Sequence, residues 1–159
     1  MACSRLTIVL FLAISTPLLS ADKDSILTVI VNKSNPIDSV SRTELRALLL
    51  GEVAQWPNKQ RIILVEREST SQAFQKTLQL ILRMSEGDYQ RWLLQAEFRG
   101  EKIPLIKTLN SNEGAGKFVF NVPGAIGVTD GTPGGAIWSD IKILRVDGKL
   151  PGDPAYAFQ

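Results

Sequence analysis

Histidine is absent from all 159 residues, and the only cysteine is Cys3. Without histidine there is no Ser-His-Asp triad, no histidine-ligated zinc and no general base whose ordinary pKa lies near neutrality. Cys3 lies ahead of an N-terminal apolar stretch, so the chain beyond that stretch has neither disulfide nor thiolate chemistry. The acidic residues Asp130, Asp140 and Asp147 fall in turn contexts, and no Asp/Glu spacing resembles a calcium loop or a paired-carboxylate site. No metal or cofactor is therefore expected, and a hydrolase acting on phosphorylated compounds has little to work with.

Long apolar runs are also scarce, apart from the stretch Leu6 to Leu19. It follows Arg5 and ends in the small residues Ser20 and Ala21, the order of a secretory signal peptide. It is shorter than the roughly 20 residues a membrane span needs, and Ser15, Thr16 and Pro17 break its end. The expectation is a signal peptide over 1–21, a single domain over 22–159, export to the periplasm and no membrane span after cleavage. That domain has 159 − 21 = 138 residues and a net charge of 17 − 16 = +1 once Arg5 is removed. This length suffices to bury roughly two thirds of the unfolded surface. The charge is too balanced for a nucleic-acid footprint.

What remains alternates between strand and helix signals. Ile26 to Val31 is a continuous apolar, β-branched run, the pattern of a strand covered on both faces. Asn32-Lys33-Ser34-Asn35-Pro36 ends it. Ser41 and Glu44 have capping-box spacing, with Leu45, Leu48 and Leu49 at helical intervals and Gly51 placed to stop the helix. After Trp56-Pro57, Ile62 to Val65 repeats the buried-strand pattern. A helix follows with Phe74, Leu78, Ile81 and Leu82 on one face, and another begins near Ser85 with Tyr89, Trp92, Leu93 and Ala96 inward. A helix up to Asn121 contains Gly114 and Gly116, each costing about 1 kcal/mol relative to Ala. Pro123-Gly124 turns into a short strand over Ala125 to Val128, a glycine-rich loop holds Gly131 to Gly135, and Ile141 to Val146 forms a last strand before Asp147-Gly148. Alternating strands and helices predict an α/β fold with a mostly parallel sheet flanked by helices.

The ordered set Val31-Asn32 with Asn35-Pro36, Ser41-x-x-Glu44-Leu45, Leu50-Gly51 before Trp56-Pro57, Arg67 before Ser/Thr and Phe74, Pro123-Gly124-Ala125-Ile126-Gly127 and the closing Ile143 to Pro151 resembles the phosphate-binding-protein-like family of bacterial periplasmic proteins. The resemblance covers nearly all of the chain beyond the leader. It implies one lobe of the type II periplasmic-binding-protein kind, from the substrate-binding side of phosphate ABC transporters, whose full-length members have two lobes. It further implies that Arg67 takes the position of the family's phosphate-loop arginine, with Ser69, Thr70 and Ser71 as hydroxyl and backbone donors to phosphate or a related oxyanion. This chain departs from the pattern: the loop is shortened, lacks glycine and sets Glu68 beside Arg67, and the family's first phosphate loop is missing. A carboxylate about 5 Å from a bound anion costs roughly 3 kcal/mol per ligand charge at an effective dielectric of 20.

Two readings follow. One is a non-enzymatic solute-binding module of phosphate uptake or sensing, which binds weakly or completes its site with a second copy or another protein. The other is a degenerate lobe that docks onto an envelope transporter, porin or sensor. For Arg67 itself the plain alternative is a surface pair with Glu66 or Glu68 beside an ordinary Ser/Thr helix cap. Gly114-Ala115-Gly116-Lys117 lacks the spacing of a nucleotide loop, and Trp56, Trp92 and Trp138 are expected to pack in the core or its rim rather than form a stacking platform.

Overall fold

A computed structural model describes residues 26–101, 103–131, 139 and 141–158. The expected signal peptide, the loop around Gly134 and Trp138 lie outside the described residues.

The two most continuously apolar segments take the middle of the sheet. Strands β1 (Leu27–Asn32) and β5 (Ala125–Asp130) are buried along their whole length except at Asp130, and they pair antiparallel with Val29 opposite Val128. Strand β3 (Ile63–Arg67) lies parallel to β5 on its other side, and β4 (Leu105–Leu109) lies parallel to β3 at the edge. Strand β6 (Ile141–Ile143) pairs antiparallel with β1, giving the order β4-β3-β5-β1-β6. Four strands thus run one way and β1 runs against them, which is the mostly parallel sheet expected. The refinement concerns the first strand-helix-strand unit. Its two strands are not neighbours, because β5 is inserted between them.

Side chains alternate across the sheet with the period of two that strands impose. Leu27, Val29, Val31, Leu64, Ile126 and Val128 face the larger core, while Ile30, Val65 and Ala125 face the smaller. Helix α1 (Arg42–Leu49) closes the larger core with Leu45, Leu48 and Leu49, and helix α4 (Asn112–Asn121) closes the smaller with Ala115 and Val119. The Ser41–Glu44 capping box forms as expected, and Gly51, at φ +70°, follows the end of α1.

The helix expected after Arg67 is present in two parts. Helix α2 (Gln72–Lys76) continues as a π-helical stretch over Thr77–Leu82. Thr77 donates its hydroxyl to the Ala73 carbonyl at 2.6 Å, a side-chain bond of the kind that competes with the helical ladder. The widened turn lets Leu78, Ile81 and Leu82 all reach the core, and Arg83 ends it in the left-handed conformation at φ +54°. Helix α3 (Glu86–Phe98) starts at Ser85 as expected, and its Tyr89 and Trp92 rings stack at 5.8 Å.

Two features depart from the sequence pattern. The last apolar run is not one strand: Leu144 is fully buried between β6 and a short strand β7 (Arg145–Val146), which pairs with β2 (Ser39–Val40) in a separate two-stranded sheet. Tyr156 and Phe158 return to the larger core, and the Phe158 carbonyl accepts from the Leu27 amide at 3.0 Å.

Trp56 is buried and donates its indole N–H to the Gly124 carbonyl at 3.0 Å. A Cβ on Gly124 would lie 2.1 Å from the Arg61 carbonyl oxygen, so this turn has no room for a side chain. Gly124→Ala is expected to destabilise the protein by at least about 1–3 kcal/mol. Urea denaturation followed by tryptophan fluorescence checks this, and an unchanged midpoint would contradict the packing described for the turn.

Candidate functional site

Because β3, β4 and β5 are parallel, their carboxyl ends share one edge of the sheet, where open α/β sheets place ligands. Arg67 is the last residue of β3, Asp130 the last of β5 and Asn112 the first of α4. Helix α2 also begins at this edge, capped by Ser71, while Ser111 caps α4. All four residues singled out in the sequence therefore lie at this carboxyl edge.

Their geometry differs from one to the next. The Arg67 side chain is only 10% exposed, and its charge is paired with Asp130 at 3.4 Å, not with Glu66 or Glu68. The same guanidinium donates to the Asn112 side-chain oxygen and, at 3.1 Å, to the Asn110 carbonyl. Asn112 closes the ring by donating to the Asp130 carboxylate at 2.6 Å and to its carbonyl at 2.8 Å. The Nε–H of Arg67 is buried without a hydrogen-bond partner among the described residues. Ser71 donates its hydroxyl to the Glu68 carbonyl at 2.7 Å and accepts from the Phe74 amide at 3.2 Å, so that hydroxyl is spent on the helix cap. Ser69 and Thr70 are exposed, and the Ser69 carbonyl accepts from Gln75 at 2.8 Å. The Glu68 side chain is exposed as well.

Asp130 and Asn112 are the residues that sequence reasoning missed. Asp130 lies 63 positions from Arg67, and its only signal was its place two residues past the apolar run Ala125 to Val128. Asn112 carried a weaker one, as a polar residue opening a helix.

Next to Arg67 on β3, Glu66 accepts a hydrogen bond from the buried Tyr89 hydroxyl. Burial raises the Glu66 pKa, and the Tyr89 bond lowers it by less. Burial first, then the Glu66 charge and the bond to it, push the Tyr89 hydroxyl well above its ordinary value. Glu66, Arg67 and Thr77 share a cavity of about 20 Å³ with Leu49, Leu64, Val65, Phe74 and Val128, space for roughly one water molecule. Among the described residues no group of acidic, histidine or cysteine side chains could hold a metal, and no helix is long and apolar enough to cross a membrane.

The order of strands, the single reversed strand and the position of the site define a fold of the periplasmic-binding-protein kind. Solved structures identify the particular likeness: one lobe of the phosphate ABC transporter substrate-binding proteins. An ABC-type phosphate transport receptor from Vibrio cholerae is 20% identical, with a TM-score of 0.58 over 80% of this chain and 48% of that one. PstS from Borrelia burgdorferi is 19% identical, with a TM-score of 0.61 over 84% of this chain and 54% of that one. A phosphate-binding protein from Stenotrophomonas maltophilia is 14% identical, with a TM-score of 0.58 over 80% and 40%. The chain thus spans about half the length of the solved proteins it matches. No family model and no curated protein matches it.

The buried Glu66 yields a pH prediction. Its folded-state pKa is raised above the ordinary value of 4.5, so the native state holds this proton more tightly than the unfolded chain. The resulting stabilisation is complete below pH 4.5 and is lost as pH rises through the folded-state value. Glu66→Gln, which can still accept from Tyr89, is expected to lack this decline. Chemical denaturation of both proteins across that window should give stabilities that diverge upward in favour of the variant, whereas parallel curves would remove Glu66 as the source.

Proposed function

We propose that this protein is a periplasmic, non-enzymatic solute-binding module for phosphate or a related oxyanion, exported by the signal peptide read at 1–21 and serving phosphate uptake or sensing. The observation that carries the reading is Arg67, held at the carboxyl edge of the parallel strands between the starts of α2 and α4, with its buried Nε–H unpartnered among the described residues. Helix starts and a guanidinium are the usual groups with which proteins bind oxyanions. Ser69 and Thr70 would add hydroxyl donors, while Ser71 would act through the helix it caps. The phosphate-related names of the solved structures sharing the fold support the same ligand class.

Asp130 sets the strength of such a site. At an effective dielectric of 20, Arg67 about 4 Å from the anion contributes roughly 4 kcal/mol per ligand charge, while Asp130 about 5 Å away costs roughly 3. The difference is small, so binding would be weak in a lobe that leaves one side of the ligand in water. A second copy, or an envelope partner such as a transporter, would complete the enclosure.

A second reading is favoured by a specific observation: Asp130 and Asn112 already occupy the Arg67 guanidinium, and the cap already occupies the Ser71 hydroxyl. On that reading the lobe has lost its ligand and docks onto an envelope transporter, porin or sensor.

Calorimetric titration of the phosphate-stripped protein with phosphate, with sulfate as competitor, separates the two. The oxyanion reading expects saturable heat that Arg67→Ala abolishes. Removing the opposing charge in Asp130→Asn should tighten binding at least about tenfold. Absence of heat at millimolar phosphate, from both the folded parent and the folded Asp130→Asn variant, would favour the docking module.

A further inference from the structure

Away from the carboxyl edge, Arg42, Arg46 and Arg83 line a cavity of about 420 Å³ together with Thr43, Leu80, Ile81 and Phe158. Arg42 and Arg46 stand four residues apart on one face of α1. Arg46 donates its Nε–H to the Leu82 carbonyl at 3.2 Å, which draws its side chain to the end of the π-helical stretch, next to Arg83. Arg83, in the left-handed conformation, closes that stretch.

The charges around this cavity do not balance. Arg42 is paired with Asp147 at 2.7 Å, Arg46 is bonded only to a carbonyl, and Arg83 has no carboxylate partner among the described residues. The nearest acidic side chains along the chain are engaged elsewhere: Glu44 accepts from the Ser41 amide at 2.7 Å, Glu86 accepts from Gln75 at 3.2 Å, and Asp88 pairs with Arg91 at 2.9 Å. Among the described residues, three guanidiniums against one paired carboxylate leave an excess of 3 − 1 = +2. Like charges gathered in this way oppose one another, and a bound anion would offset the repulsion. The guanidinium fork also matches the geometry of a phosphate oxygen pair. Leu80, half-buried, supplies the apolar wall beside the cations, with Ile81 and Phe158 buried beneath it, and the volume falls within the roughly 300–1,000 Å³ of small-molecule sites.

We infer that this cavity is a second anion site, separate from Arg67, that takes an organic phosphate monoester. The phosphate, with a charge close to −2 at neutral pH, balances the arginines, and its organic group packs on Leu80. The inference does not rest on the Arg67 reading. Phenyl phosphate is the probe, followed by amide NMR of the whole protein and repeated in the Arg67→Ala background so that the first site cannot contribute. Saturable shifts at Arg46, Ile81, Arg83 and Phe158 are expected, with affinity weakened at least about tenfold in Arg83→Gly. Glycine suits the left-handed turn, so this variant keeps the fold. Thr43→Glu, which adds a carboxylate at the helix start where it favours folding, should block binding independently. Absence of saturable shifts at millimolar phenyl phosphate, or affinity unchanged in both variants, would overturn the site. Equal affinity for inorganic phosphate would overturn the organic ligand class.

Discussion

The pairing of β5 with both β1 and β3 is the constraint on which the rest of the molecule depends. β5 separates the strand that opens the domain from the strand that carries Arg67, and it runs parallel to the second but against the first. Parallel alignment with β3 sends the carboxyl ends of both strands to one edge, and the starts of α2 and α4 come with them. Without β5 in that position Arg67 would lack Asp130, whereas Asn112 follows β4, whose Leu109 lies opposite Arg67 on the other side of β3. Burial explains why β5 is central: a strand with apolar side chains on both faces loses most if either face meets water.

At the carboxyl edge, charge is managed by internal pairing. A nearly buried arginine needs a counter-ion, and Asp130 provides one whether or not a ligand arrives. That pairing keeps the guanidinium fixed and lowers the gain available to an incoming anion. The arginines lining the cavity between α1 and the π-helical stretch follow the opposite arrangement. Arg42 and Arg83 are exposed, Arg46 and Arg83 lack a carboxylate among the described residues, and solvent carries the cost until an anion replaces it. The two clusters therefore differ in kind: one is an ion pair integrated into the sheet, the other an excess of charge held at the surface.

Much of the architecture is legible along the chain. The buried strands over β1, β3 and β5 are apolar runs of the right length, and Ser41 with Glu44, and Ser85, cap helices where their spacing predicts. Strand β4 is not legible, because at the edge of the sheet Leu105, Lys107 and Thr108 are exposed and carry no buried-strand pattern. The division of the last apolar run at Leu144 depends on a bond to the Val29 carbonyl at 2.9 Å, a partner far away in sequence. The π-helical stretch has a local cause in Thr77, but helical periodicity alone points to an ordinary helix.

What the sequence determined by itself is local: which segments extend, where helices start, and that Arg67, Ser69, Thr70 and Ser71 lead into a helix. These follow from side-chain shape, polarity spacing and hydrogen bonds between residues a few positions apart. Tertiary structure alone decided strand order, the direction of β1 relative to its neighbours, and the partner of Arg67. The physical reason is that burial and ion pairing act through space. Asp130 and Arg67 become neighbours only when β5 and β3 lie side by side, and no local pattern near either residue encodes that meeting.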